Sequence, residues 1–175
     1  MSKTISSSAA LPTAHIVLRI LMILNWLLAV GIFAMLVVSV ANGPWFMSAL
    51  KISASPEPDR VLMGFRVIAV LGLMAIPLHY AVLKRLLTIV ETVRAGDPFV
   101  TVNAQRLRAI AWALVALNLL SVAIGAIAFG ISTTAYPVRM AGFSISGWLA
   151  VLLTFVLARV FAKGALMRED LEGTV

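Results

Sequence analysis

The chain contains no cysteine. Disulfides, thiol nucleophiles, thiolate zinc sites and iron–sulfur clusters are therefore excluded. Charge is nearly as scarce, at 12% of 175 residues, where a soluble domain carries about a quarter. Only seven side chains are acidic, and none lies inside a long apolar run. The buried carboxylate at which proton- or sodium-coupled carriers usually exchange their ion is thus missing from those runs. The two histidines, His15 and His79, sit in different apolar runs, and a metal site needs more ligands at workable spacing. There is no phosphate-binding glycine loop, no nucleophile elbow and no HExxH helix, so an enzyme finds no positive support. No catalytic residue, metal or cofactor is expected.

What the chain does have is apolar surface: 62% hydrophobic residues and a mean hydropathy of +1.05. A chain this short has too little interior to hide that surface from water. Four apolar runs, at 16–41, 61–83, 107–131 and 142–160, meet or approach the roughly 20 residues that cross a bilayer. The first is too long for the roughly 7–15-residue core of a signal peptide, although Ser39-Val40-Ala41 resembles a cleavage site. The fold expected is an all-α integral membrane protein, a four-transmembrane-helix bundle with helical extensions into the cytoplasm. A flexible tail is expected over 1–15, a cytoplasmic loop over 84–106 and a short tail over 172–175.

The net charge is +7. In a soluble protein this would suggest nucleic acid; here the bilayer explains it, because Lys and Arg accumulate in cytoplasmic loops. Lys3, Arg19, Lys84, Arg85, Arg94, Arg106, Arg108, Arg159, Lys163 and Arg168 fall on one side of the four spans, and Lys51, Arg60, Arg66 and Arg139 on the other. That asymmetry predicts both termini and the central loop on the cytoplasmic side of a bacterial inner membrane, against anionic lipid. Trp45, Phe46 and Tyr136 suit the opposite headgroup region, and Trp148 is an expected interfacial anchor of the fourth span.

Span two is expected to run on as an amphipathic helix, since Leu83, Leu86, Leu87, Val90 and Val93 recur at helical spacing. Glu91 can pair with Arg94. Gly96 suits a left-handed cap and Pro98 cannot continue the helix. Asn103 is the expected N-cap of the next helix, from Ala104 onward, and Phe99 should pack back on the bundle or the bilayer. Span four should likewise extend through Phe161, Lys163 and Leu166 into the acidic Glu169, Asp170 and Glu172, which face the basic loop across a screened contact.

Within the spans, Asn25 and Asn118 are expected to hydrogen-bond neighbouring helices. Arg66 is expected to snorkel outward rather than contact a substrate. His79, beside Pro77, reads as an interfacial residue, with a proton relay as the sharper alternative. Ser121 with Gly125, and Ala126 with Gly130, permit close helix approach, either within the bundle or across a homodimer seam.

Two segments carry a resemblance. One is Gly96-Asp97-Pro98-Phe99 with Asn103 and Arg106-Leu107-Arg108. The other is Val160-Phe161-Ala162-Lys163-Gly164-Ala165-Leu166 with Arg168-Glu169-Asp170-Leu171 and Thr174-Val175. Together they resemble the bacterial four-span membrane family called domain of unknown function 2975, from about span one to the last residue. Asp170 stands where that family often has a second Glu. The resemblance implies an inner-membrane protein with no assigned active site. By genetic association alone, it implies a small helix-turn-helix regulator as partner.

The expected function is a non-enzymatic sensor or regulatory subunit. Its interaction residues would be Gly96, Pro98, Phe99, Asn103, Arg106, Arg108, Lys163, Gly164, Arg168, Glu169 and Asp170. Anionic lipid, a small soluble regulator and a second copy of the chain are the expected partners, with no direct nucleic-acid contact. A small oligomeric transporter or export component is the alternative. It would need a polar path, for which the spans offer little beyond Asn25 and Asn118.

Overall fold

A computed structural model describes residues 6–51, 56–132 and 142–172, with side chains from residue 11 to 170. Lys3, Tyr136, Arg139, Thr174 and Val175, and the side chains of Leu171 and Glu172, lie outside the described residues. Five helices follow in order: α1 (Ser6–Ala41), α2 (Gly43–Ala49), α3 (Pro58–Arg94), α4 (Thr101–Gly130) and α5 (Ile145–Glu172). All but α2 are long and apolar enough to cross a membrane. Helices are what a bilayer demands, because each satisfies its own backbone N–H and C=O groups where no water can.

The helices differ from those read in the sequence at two places before α3. The first helix starts at Ser6, inside the segment expected to be a flexible tail. Ala9, Ala10 and Leu11 are strong helix formers and carry it through Pro12. The second difference is α2, which sequence periodicity does not reveal because it has only seven residues. Local chemistry builds it: Asn42 accepts a hydrogen bond from the Trp45 amide at 3.2 Å, and Pro44 occupies the first turn, where its missing N–H costs nothing. Trp45 is exposed, but Phe46 is buried and walls an apolar cavity of about 290 Å³ between α1 and α3.

The long helices alternate in direction and lie as a row. α1 packs on α3, α3 on α4 and α4 on α5, and α1 makes no close backbone approach to α5 among the described residues. At one end α1 begins, α3 ends, α4 begins and α5 ends, as the pairs His15–Glu91 and Asp97–Arg168 establish. This is called the terminal end below. At the opposite end a Cβ on Gly64 would lie 2.6 Å from Ile131 Cγ2, and one on Gly142 would lie 2.9 Å from the Ser121 carbonyl.

The α1–α3 seam has a regular register. Between His15 and Ser39, only His15, Leu18, Met22, Asn25, Ala29, Ile32, Leu36 and Ser39 are shielded, an alternation of three and four residues that keeps one face on a partner helix. Every polar residue on that face engages α3. His15 Nε2 lies 3.6 Å from Glu91 Oε1. Asn25 Nδ2 donates to the Ile76 carbonyl at 3.3 Å. Arg66 donates from Nε to Ser39 Oγ at 3.1 Å and from a terminal nitrogen to the Ser39 carbonyl. The expected helix-to-helix bond of Asn25 is therefore present. Glu91 faces His15 and not Arg94. Arg66 turns inward rather than snorkelling, because the Ser39 carbonyl lies in the last turn of α1, where no intrahelical donor remains.

On the other side of the row, Asn118 donates to the Leu114 carbonyl of its own helix at 2.8 Å, not to a neighbour. Its amide oxygen occupies the space a Cβ on Gly147 would need, so it joins α4 to α5 by contact. The Ser121–Gly125 pair receives Gly142, which places this small-residue face inside the bundle. Nothing lies within 4 Å of a Cβ on Gly130. The indole N–H of Trp148 is buried without an acceptor among the described residues, so this ring does not anchor at an aqueous interface through that group.

Candidate functional site at the terminal end

Helix length makes this end project. α3 has 37 residues, about 55 Å at 1.5 Å per residue, against a hydrocarbon core of about 30 Å. Its uncharged stretch ends at Lys84, so its last turns stand beyond the apolar belt. The start of α4 and the end of α5 accompany them.

The segment between α3 and α4 is fixed by its backbone first. Gly96 has φ +85°, a left-handed conformation that costs glycine little. The Gly96 amide donates to the Val93 carbonyl at 3.1 Å and the Asp97 amide to the Thr92 carbonyl at 3.0 Å, the paired bonds of a Schellman termination. Pro98 follows and cannot extend the helix.

Asn103 does not cap α4. The helix begins at Thr101, with Val100 at the cap position and no side-chain cap bond. Asn103 is fully buried and ties the turn together. Its Nδ2 donates to Thr92 Oγ1 at 2.7 Å and to the Pro98 carbonyl at 2.9 Å, and its Oδ1 accepts from Arg106 at 2.8 Å. The side chain that local rules assign to a helix cap reaches back instead to Thr92 at the end of α3 and to the Pro98 carbonyl of the turn.

The tail closes on this turn. Phe99 lies against Phe161, with ring centroids 5.3 Å apart. A Cβ on Gly164 would lie 2.8 Å from Phe99 Cδ1, so the absence of a side chain there admits the ring. Asp97 pairs with Arg168, and Thr101 Oγ1 donates to Glu169 Oε1 at 3.0 Å. Beneath them, Leu107, Ile110 and Ala158 form an apolar cluster joined by Leu86, Ile89 and Phe161.

Loop and tail thus meet, but with charges opposite to those expected: the acid comes from the loop and the base from the tail. Asp170 is exposed and has a partner of its own. Lys163 is exposed. Arg108 faces away from the loop–tail contact into a groove between α4 and α5. The sequence reading missed Thr92, Thr101 and Ser39 as polar partners. For Ser39 a signal existed, since it shares a three-and-four spacing with His15 and Asn25.

The fold and this clamped end define a multi-pass α-helical membrane protein with a structured cap outside its apolar belt. Residues 47–175 match the family model described as protein of unknown function (DUF2975), and the chain belongs to that family. The match starts at Met47, so α1 precedes it, whereas the resemblance was expected to reach span one. No curated protein and no solved structure matches the chain.

Proposed function

We propose that this chain is a non-enzymatic regulatory subunit of a bacterial inner membrane, with both termini cytoplasmic and its terminal end serving as a docking cap for a small soluble regulator. The observation that carries the reading is the clamp itself. Asp97–Arg168, Thr101–Glu169 and the Phe99–Gly164 contact hold loop and tail in one shape. A recognition surface needs such a fixed shape. On the same stretch of α5, beyond Lys163, Leu166 and Met167 are 59% and 62% exposed. Apolar side chains standing past the membrane belt suit a protein contact. The basic side of the molecule supports the orientation through the charge rule.

Transport draws less support. Both amides inside the spans bind backbone carbonyls, Asn25 that of Ile76 and Asn118 that of Leu114, which leaves little polar surface to line a path.

The test is co-purification from gently solubilised membranes with the intact chain, a chain ending before Lys163, and an L166D/M167D variant. The reading expects a helix-turn-helix regulator with the intact chain and its loss with the other two. Equal recovery from all three, or none from the intact chain, would overturn it.

A further inference from the structure

We propose that the groove between α4 and α5 near the terminal end is a binding site for one anionic phospholipid of the adjacent leaflet. The phosphate would lie between Arg108 and Arg159, and an acyl chain over Trp112 and Phe155. The proposal does not depend on a soluble partner or on which side of the membrane the termini face.

The groove has a volume of about 640 Å³. Its polar wall is Thr101, Gln105, Arg108 and Arg159; Trp112 and Phe155 continue it toward the middle of the span. Thr101, Gln105, Arg108 and Trp112 follow one another at helical spacing, so the groove runs along α4 for about 16 Å at 1.5 Å per residue. Its chemistry changes along that length from hydroxyl and amide, through two guanidiniums, to two aromatic rings 5.5 Å apart. That is the order of groups along a phospholipid: headgroup, phosphate, acyl chain.

Charge decides the sign of the ligand. Among the described residues neither Arg108 nor Arg159 makes an ion pair or hydrogen bond, although carboxylates stand nearby on the cap. Two arginines lining one groove give it a positive field, and a phosphate can accept from both through paired hydrogen bonds. Position decides the source. α5 ends the row of helices, so the groove opens on lipid and not on a further helix. A soluble phosphate would leave Trp112, 59% exposed, uncovered by the ligand; an acyl chain covers it. Basic pockets between membrane helices hold lipid headgroups on the same physical grounds.

The test uses the full chain in detergent, exchanged into dioleoylphosphatidylglycerol or dioleoylphosphatidylcholine and analysed by native mass spectrometry. We expect one retained phosphatidylglycerol, and about 10-fold weaker retention in R108Q/R159Q, which a few lost charge-assisted contacts account for. R19Q removes an exposed arginine outside the groove and should retain the lipid. Equal retention of both lipids, or unchanged retention in R108Q/R159Q, overturns the proposal. So does displacement of the lipid by millimolar inorganic phosphate, which would mark a soluble-anion site. A second measurement does not rely on the double variant folding: phosphatidylglycerol brominated on its acyl chain should quench tryptophan fluorescence, and W112F should remove the part of that quenching absent with brominated phosphatidylcholine. If W112F leaves it intact, the acyl chain lies elsewhere and the assignment fails. Loss of regulator co-purification with lipid binding intact would count only against the docking cap.

Discussion

At the terminal end, side chains make the contacts: the buried Asn103 amide and its three partners brace the α3–α4 turn, and the Asp97–Arg168 pair and the Thr101–Glu169 bond join that turn to the tail. At the opposite end, helices meet through close approach of backbone and small residues. Gly64 faces Ile131, Gly142 rests on Ser121 and Gly125, and a single guanidinium, Arg66, binds the last turn of α1. The difference follows from where each end must hold. Between spans, lipid tails are as apolar as the side chains they would displace, so burial alone drives little association and dense packing of small residues takes over. Past the apolar belt water competes for every polar group, and only a contact shielded from it contributes much. Asn103 is that contact; the others at its end shape the surface more than they stabilise it.

The largest effect should come from Asn103→Ala. It removes three hydrogen bonds of a fully buried amide to half-buried partners, of which Thr92 keeps its bond to the Ile89 carbonyl, and at about 1 kcal/mol for each bond the loss is about 3 kcal/mol. Thermal unfolding in detergent should show the loss, and hydrogen exchange should rise first at residues 93–97, where the Schellman turn loses its brace. A variant as stable as the parent would mean that water or a neighbouring donor replaces the amide, and the contrast between the ends would weaken. Next is Gly142→Val. Its added atoms meet the Ser121 carbonyl and the Gly125 backbone, neither of which can rotate away, so overpacking should cost about 1–3 kcal/mol. Because the parent has no cysteine, a cysteine pair placed across this contact would report the separation directly, as a drop in cross-linking confined to this end.

How far these features were readable varied with the physics behind them. The four spans and the extension of α3 to Arg94 follow from hydropathy and spacing, which a bilayer enforces along the whole chain. The left-handed Gly96 followed too, because only glycine enters that conformation cheaply. Asn103 did not, since its place before an apolar run satisfies the local rule for a cap while Thr92 and Pro98, brought near by the turn, outcompete it. Arg66 misled for a similar reason: its position in the span suggests snorkelling, and the orphan carbonyl of Ser39 is invisible until α1 and α3 are side by side. The α1 seam was present in the sequence but not where amphipathicity is usually sought. In a helix apolar on every face, the packed side is marked by its few polar residues, and His15, Asn25 and Ser39 share a single three-and-four register. Asn25→Ala accordingly tests that register. It should cost about 0.6 kcal/mol, the usual worth of an interhelical bond in a membrane, and leave the His15 and Ser39 contacts in place.

The smallest stability effect, and the one that most sharpens the contrast, belongs to Asp97 and Arg168. Both side chains are about 40% exposed, so water screens the pair, and Arg168 keeps further contacts when Asp97 is removed. A double-mutant cycle with D97N and R168Q should give a coupling of about 0–1 kcal/mol, falling toward zero at about 0.5 M salt as the Debye length contracts. Yet the same substitutions free the tail from the loop, and the docking cap requires that they weaken regulator binding far more than they lower the melting temperature. The exchange of charges in D97R/R168D should restore much of that binding, because the pair re-forms with its sign reversed. A coupling above about 2 kcal/mol, insensitive to salt, would instead place the pair in a water-excluded site. The terminal end would then be held together as the opposite end is, by exclusion of solvent, and the separation between a stabilising Asn103 and a surface-shaping clamp would not stand.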